Sequence, residues 1–194
     1  MTTFILHGGQ VALKNLSNTE FFEQFTCLTK KPSVQIGACY WARPKEDWTK
    51  ILQRDKGLIK AQTSKKFSLI SLANPAELLE KLSVLDVIYV AGGDSEPIEK
   101  LYQQFGNLGP KLKNKVFIGS SMGAFMASKN YVLSFDCQND TEVHQGLELV
   151  PFNILCHWDK ETKKSEKVQL LTEIDSKTQI LKLEETEWLK IEVD

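Results

Sequence analysis

The chain reads as an α/β protein of three layers, a mostly parallel sheet with helices on both faces. Two observations predict this. Short runs rich in β-branched and aromatic residues alternate with longer segments whose apolar residues recur at helical spacing. No repeat, low-complexity tract or Pro/Gly/Ser-rich linker breaks the series, so residues 1–194 are expected to fill one domain around one core.

In chain order, the expected strands are 3–7, 33–40, 67–72, 86–90, 116–120, 154–157, 179–183 and 188–193. Between them, Phe21, Phe22 and Phe25 form one helical stripe, and Trp48, Ile51 and Leu52 a second. Leu78, Leu79 and Leu82 form a third, and Ile98, Leu101, Tyr102 and Phe105 a fourth. Each stripe is read as a face turned to the core. Ser17 stands three residues before Glu20, the spacing of a capping box. Asn74, Pro75 and Glu77 supply a cap, a proline at the first helical position and an acid in the first turn. The stretch 136–146 is the one long polar segment without periodicity, and such loops often carry function, a solvated connector being the plain alternative.

Charge excludes some partners. Lys and Arg total 24 against 25 for Asp and Glu, so no broad positive field draws the chain to a phosphate backbone or an anionic bilayer. Neither nucleic acid nor membrane is an expected partner. Cys27, Cys39, Cys137 and Cys156 lack the paired spacing of zinc or redox motifs and read as reduced thiols. The opening MTTFILHGG is too short an apolar run for a secretory leader, and a cytoplasmic location is the expectation.

The chemistry is concentrated in KVFIGSSMGAFMASKN, which reads as a buried strand, a Gly-Ser-Ser-Met-Gly turn and a helix starting near Met122. That strand-turn-helix context is what a G-x-S-x-G elbow requires, and its phase selects Ser121 as nucleophile. Gly119 and Gly123 let strand and helix pass without a Cβ collision, and the Met122 amide at the helix start can stabilise an oxyanion. Ser120 lacks the symmetric glycines and is a neighbour able to touch substrate. The bland alternative is a tight Gly/Ser turn.

A second glycine turn, Val-Ala-Gly-Gly-Asp-Ser-Glu-Pro, follows the strand ending at Val90. Ligands of open parallel sheets sit at the carboxyl ends of strands, so Gly92 and Gly93 can face the Ser121 turn and add a second oxyanion donor. Without a G-x-G-x-x-G pattern or a Walker lysine, nucleotide binding is the weakest use for this turn.

Three histidines could serve as base. His144 lies in the polar stretch, His7 ends the first strand where it could line the crevice, and His157 ends the apolar run Phe-Asn-Ile-Leu-Cys. His157, at a strand's carboxyl end, is the expected base for Ser121. Adjacent residues of a strand face opposite ways, which sends Cys156 into packing. Few residues separate Ser121 from His157, too few for the connections of an α/β-hydrolase, and a different topology is indicated.

Together these residues resemble the aspartyl dipeptidase (peptidase E) family of serine peptidases. The resemblance implies a class I glutamine amidotransferase-like, flavodoxin-like fold. VIYVAGGDSEPIEKL is similar to the family's oxyanion loop, and Gly119-Ser120-Ser121-Met122-Gly123-Ala124 to its nucleophile signature. The stretch from Leu149 to Trp158 is similar to its histidine segment. By the same resemblance Leu183-Glu184-Glu185-Thr186-Glu187-Trp188 supplies the acid, with Glu185 implied, Glu184 and Glu187 as competitors and Asp136 in reserve.

The implied activity is hydrolysis of a short peptide, with an Asp-X substrate among the possibilities, through an acyl-enzyme. Neither metal nor cofactor is called for, and the chain is expected to be a monomer or homodimer. A cation for an aspartyl side chain could come from Lys160, Lys163, Lys164 or Lys167, with Lys163 taken as the candidate, although a basic run is commonly a wetted helix face. Rival readings are a related amide, ester, isoaspartyl or cyanophycin-type hydrolase using the same machinery, or a non-catalytic domain with an amidotransferase-like shell.

Overall fold

The computed structural model describes residues 1–135, 137 and 140–194; Asp136, the reserve acid, lies outside the described residues. Ten strands and six helices are described: β1 (Thr2–His7), α1 (Leu16–Cys27), β2 (Ser33–Cys39), α2 (Trp48–Ala61), β3 (Lys66–Ser71), α3 (Pro75–Lys81), β4 (Val87–Val90), α4 (Ser95–Glu99), β5 (Val116–Ser120), α5 (Met122–Ala127), β6 (Asn130–Val132), β7 (Val143–Gln145), β8 (Asn153–Leu155), α6 (Lys164–Ile174), β9 (Ile180–Lys182) and β10 (Trp188–Val193).

The larger sheet runs β10-β1-β5-β4-β2-β3, parallel except for the β1–β10 pair. Its alternation of side chains builds two core faces. Phe4, Leu6, Ile88, Val90 and Phe117 join one apolar cluster with α3, α4 and α5, through Leu78, Ile98 and Phe125. Ile5, Val34, Ile36, Val87, Tyr89 and Ile118 join the other, against Phe21, Phe22 and Phe25 of α1 and Ile59 of α2. Helices therefore cover both faces in an α/β arrangement of three layers.

The strands do not all share that sheet. β7, β6, β8 and β9 form a second, four-stranded one, antiparallel only between β6 and β7. Two of its strands, β6 and β7, were not expected; each is only three residues long, and β7 lies inside the polar stretch 136–146. Pattern reading fails there because β7 carries no apolar run and β6 follows α5 after only two residues, whereas the equally short β8 and β9 sit in apolar stretches.

Side-chain caps start α1 and α3, and the sequence expectations need two corrections. The Asn74 side chain accepts the Glu77 amide at 3.0 Å, with Pro75 as the first helical residue, as the sequence suggests. Ser17, however, is not the cap of α1. Asn15 takes that place, accepting the Asn18 amide at 2.8 Å, while the Ser17 hydroxyl donates to the Thr186 carbonyl at 2.5 Å. The fourth stripe also breaks: α4 ends at Glu99 and Tyr102–Gln104 form a separate 3₁₀ turn. Among the described residues no helix is long and apolar enough to cross a membrane.

Candidate active site

Ser121 sits at the junction of β5 and α5, at φ 48° and ψ −106°, a conformation that costs an L-residue about 1–3 kcal/mol and persists only when its surroundings enforce it. Three neighbours do so. Its amide donates to the His7 carbonyl at 2.8 Å. A Cβ at Gly119 would collide with the Gly123 carbonyl, and one at Gly123 with the Val90 carbonyl, so only glycine lets α5 leave β5 this tightly. The bend places Ser121 just past the carboxyl end of β5, an interior strand of the sheet.

The His157 imidazole meets that hydroxyl, with Nε2 at 3.1 Å from Oγ. It does not arrive from a strand end as expected. β8 stops at Leu155, and His157 stands two residues later in the left-handed region, at φ 53°. Its amide donates to the Gly8 carbonyl at 3.2 Å, its carbonyl accepts from the Lys160 amide at 3.0 Å, and Gly9 passes so close to the ring that any Cβ there would strike it. The turn after β1 thus forms the seat of the imidazole. Cys156 beside it is buried, and burial pushes its thiol well above the ordinary range, which leaves it protonated and inert.

Glu185 lies in the loop between β9 and β10, with Oε1 at 3.0 Å from His157 Nδ1. The Glu185 amide donates to Asp159 at 2.8 Å, Thr186 donates its amide to the Gly9 carbonyl at 3.0 Å, and Gly8 donates to the Glu187 carbonyl at 2.9 Å. Of the competing carboxylates, Glu184 and Glu187 are exposed, and Glu187 Oε2 accepts the Glu184 amide at 2.9 Å. An ionised Glu185 only accepts, so Nδ1 carries the ring proton and Nε2 is left to accept from the serine.

Gly92 and Gly93 cross beside the serine. A Cβ on Gly92 would lie 2.9 Å from the Ser121 Cβ and 3.5 Å from its Oγ. No backbone carbonyl among the described residues accepts the amides of Gly92, Gly93 or Met122. These residues, with Ser120, Ser121 and His157, line a cleft of about 630 Å³.

Two residues expected to touch substrate, His7 and Lys163, do not line the cleft. His7 is fully buried away from the cleft: its Nδ1 accepts the Gly9 amide at 3.0 Å and its Nε2 donates to Asn18 Oδ1 at 2.8 Å. Burial pushes its pKa down to about 4, against the Asn18 bond and aided by the nearby His157 charge, so it is neutral. Lys163 points elsewhere, paired to Asp140 at 2.9 Å. Its neighbours are also engaged outside the cleft: Lys160 with Asp159, Lys164 over the Trp158 ring, and Lys167 buried against Glu161. His144 pairs with Glu99 at 3.0 Å and stacks on Tyr131.

The cations that do line the cleft are Arg43, Lys50 and Arg54. Asp47, Lys50, Ile51 and Arg54 all line it, and their i, i+3, i+4, i+7 spacing is the signal that one face of α2 fronts the site. Ile51, expected on the core-facing stripe of α2, packs against the core and also lines the cleft. Arg43 precedes α2 and donates its Nε to the Gly92 carbonyl at 2.6 Å. Among the described residues, no three His, Cys, Asp or Glu side chains are grouped so as to hold a metal ion.

Comparison with known proteins places the chain in a family and finds similar folds. Residues 42–194 match the model of peptidase family S51. The fold is similar to the crystal structure of a candidate peptidase E protein from Listeria monocytogenes EGD-e, with TM-score 0.62 and 18% identity over 100% of both chains. It is also similar to a peptidase from an acI-B1 Actinobacterium, with TM-score 0.64 and 16% identity over 98% of this chain and 83% of that one. Among curated proteins, none matches the chain.

Proposed function

We propose that this chain, which belongs to peptidase family S51 and is a serine peptidase of the aspartyl dipeptidase kind, hydrolyses short peptides through an acyl-enzyme on Ser121. The observation that carries the reading is the continuous path Ser121 Oγ, His157 Nε2, His157 Nδ1, Glu185 Oε1, with successive gaps of 3.1 and 3.0 Å, opening on the cleft.

In this reading the Ser121 oxygen attacks the substrate carbonyl carbon while its proton passes to His157 Nε2. Glu185 stabilises the imidazolium and keeps the ring oriented. Negative charge builds on the carbonyl oxygen, where the Met122 amide and the Gly92–Gly93 loop supply fixed donors that need no reorganisation. Collapse breaks the C–N bond, the amine takes the proton from Nε2, and a water deprotonated by the same nitrogen releases the acid. Cys156 takes no part.

A cleft of about 630 Å³ suits a peptide of a few residues rather than a folded chain. A preference for an N-terminal aspartate is supported by the cations of Lys50 and Arg43, a different source from the lysines after His157, whereas Arg54 is already paired with the buried Asp55 at 2.7 Å. Activity inside the cytoplasm on small peptides fits this reading. The test is a substrate panel of Asp-X dipeptides, neutral dipeptides, isoaspartyl peptides and small esters, run beside labelling with a fluorophosphonate. Labelling mapped to Ser121 with preferential turnover of Asp-X is the expected outcome. Equal turnover of neutral dipeptides removes the aspartyl preference, and well-folded protein that takes no label removes the nucleophile.

A further inference from the structure

The Gly92–Gly93 segment is held between two structures. On one side its Gly92 α-carbon packs on Ser121, as the 2.9 Å approach of a Cβ to the Ser121 Cβ shows. On the other, a Cβ at Gly93 would collide with the Ala42 carbonyl and come within 3.0 Å of the Arg43 Cδ. Ala42 also accepts the Asp94 amide at 2.8 Å, which fastens the far end of the segment to the β2–α2 connection.

The peptide unit joining two glycines is the easiest of all to rotate, because neither flanking residue has a Cβ to oppose it. Turned one way, it offers an N–H to the serine side. Turned the other, it offers a carbonyl oxygen, which repels an oxyanion. A built catalytic loop therefore needs something to fix the orientation. Arg43 Nε donates to the Gly92 oxygen at 2.6 Å, a short charge-assisted bond. The C=O and N–H of a trans unit point in opposite directions. With its oxygen drawn to the guanidinium, the unit turns the Gly93 N–H away from the guanidinium.

We infer that Arg43 is a positioning residue for the oxyanion site, holding the Gly92–Gly93 peptide in the orientation that donates to the developing charge. This rests on the reading of Ser121 as nucleophile and of the glycine turn as oxyanion loop. It assigns Arg43 a role in kcat, separate from any attraction it exerts on an acidic substrate. The Arg43 side chain is exposed, so its loss leaves the core intact.

The experiment uses p-nitrophenyl acetate, whose acyl group carries no charge for a guanidinium to bind. Wild type, Arg43→Ala, Arg43→Met, which keeps the stem and drops every donor, and Ser121→Ala are compared. Removing one oxyanion donor typically costs 10²–10³-fold in kcat, so a loss of roughly 10- to 100-fold is expected for Arg43→Ala and Arg43→Met from a partly flipped peptide. KM and the pH dependence should stay as in the wild type, and added guanidinium ion should restore part of the Arg43→Ala rate. A wild-type kcat in both Arg43 variants beside an inert Ser121→Ala overturns the role of Arg43 alone. So does a defect confined to KM, or one that moves the pH profile. If Ser121→Ala turns over the ester like wild type, the nucleophile falls and the Arg43 role falls with it. Should Arg43→Ala fail to fold, Arg43→Met decides the matter by the same criteria.

Discussion

Ser121 is legible in the sequence because the signal that marks it is local: two glycines, a buried strand and a helix start within a few residues, although the His7 carbonyl that holds its amide is not. Glu185 is legible only by resemblance, since three glutamates share one short loop and their spacing alone cannot tell which faces the imidazole. The structure separates them by contact, and a prediction follows. Glu185→Gln should lower kcat by about 10²–10⁴-fold by weakening the hold on the His157 tautomer. Glu184→Gln and Glu187→Gln should stay within a few-fold of wild type, because both side chains are exposed. Steady-state kinetics on the three variants checks this, and comparable losses in all three would count against the assignment. His7 illustrates what sequence does not convey. Its position at a strand end suggests a crevice residue, but burial and two hydrogen bonds make it a neutral strut under Gly9. With a folded pKa near 4 against an ordinary 6.5, the unfolded chain binds the extra proton first as pH falls. The His7 contribution is therefore complete above about pH 7 and is lost between about 6.5 and 4. Thermal unfolding across that window should show a falling Tm in wild type and a shallower fall in His7→Gln. Parallel curves would show that His7 is not the titrating group.

At the scale of elements, the long strands and the stripes of α1, α2 and α3 follow from periodicity, and the Asn74 cap from local hydrogen bonding. What periodicity cannot place is a segment whose conformation is set from far away. Ser17 has the spacing of a capping box, yet its hydroxyl bonds to Thr186, 169 residues along the chain. The apolar run before His157 predicts a strand over 154–157, whereas β8 stops at Leu155 and the turn after β1 seats the imidazole. That turn is the testable joint. Gly9 lies at φ 130° against the His157 ring, so Gly9→Ala must displace the imidazole or strain the turn. A misplacement near 1 Å costs on the order of 100-fold, and kcat should fall by at least about that much while the folded state persists. Circular dichroism beside kinetics checks it; a Gly9→Ala enzyme of normal kcat would mean the turn does not seat the base.

Over the whole molecule, the two core faces were readable from alternating strands and helical stripes, but the cleft was not, because it collects residues from connections that sequence keeps apart. The resemblance calls for a cation near an aspartyl side chain, and the sequence offers the basic run after His157. Lys163 is instead tied to Asp140, and Lys167 is buried between Glu161 and the Leu133 carbonyl, a structural pair. Breaking a buried pair by removing one partner typically costs about 3–5 kcal/mol, and Lys167→Met should be destabilised on that scale in chemical denaturation. Lys163→Glu, on an exposed pair, should leave the KM for Asp-X dipeptides nearly unchanged. Lys50→Glu should raise that KM by roughly 10-fold or more, since it reverses a charge on the α2 face of the cleft. The opposite ranking would return specificity to the lysine run. The most direct measurement of all is turnover by Ser121→Ala and His157→Ala on the best substrate of the wild type, with folding verified for each. Both variants should lose about 10⁴–10⁶-fold in kcat, and the double variant little more, because the two side chains act as one unit. Activity retained in either folded variant would contradict catalysis by the Ser121–His157 pair.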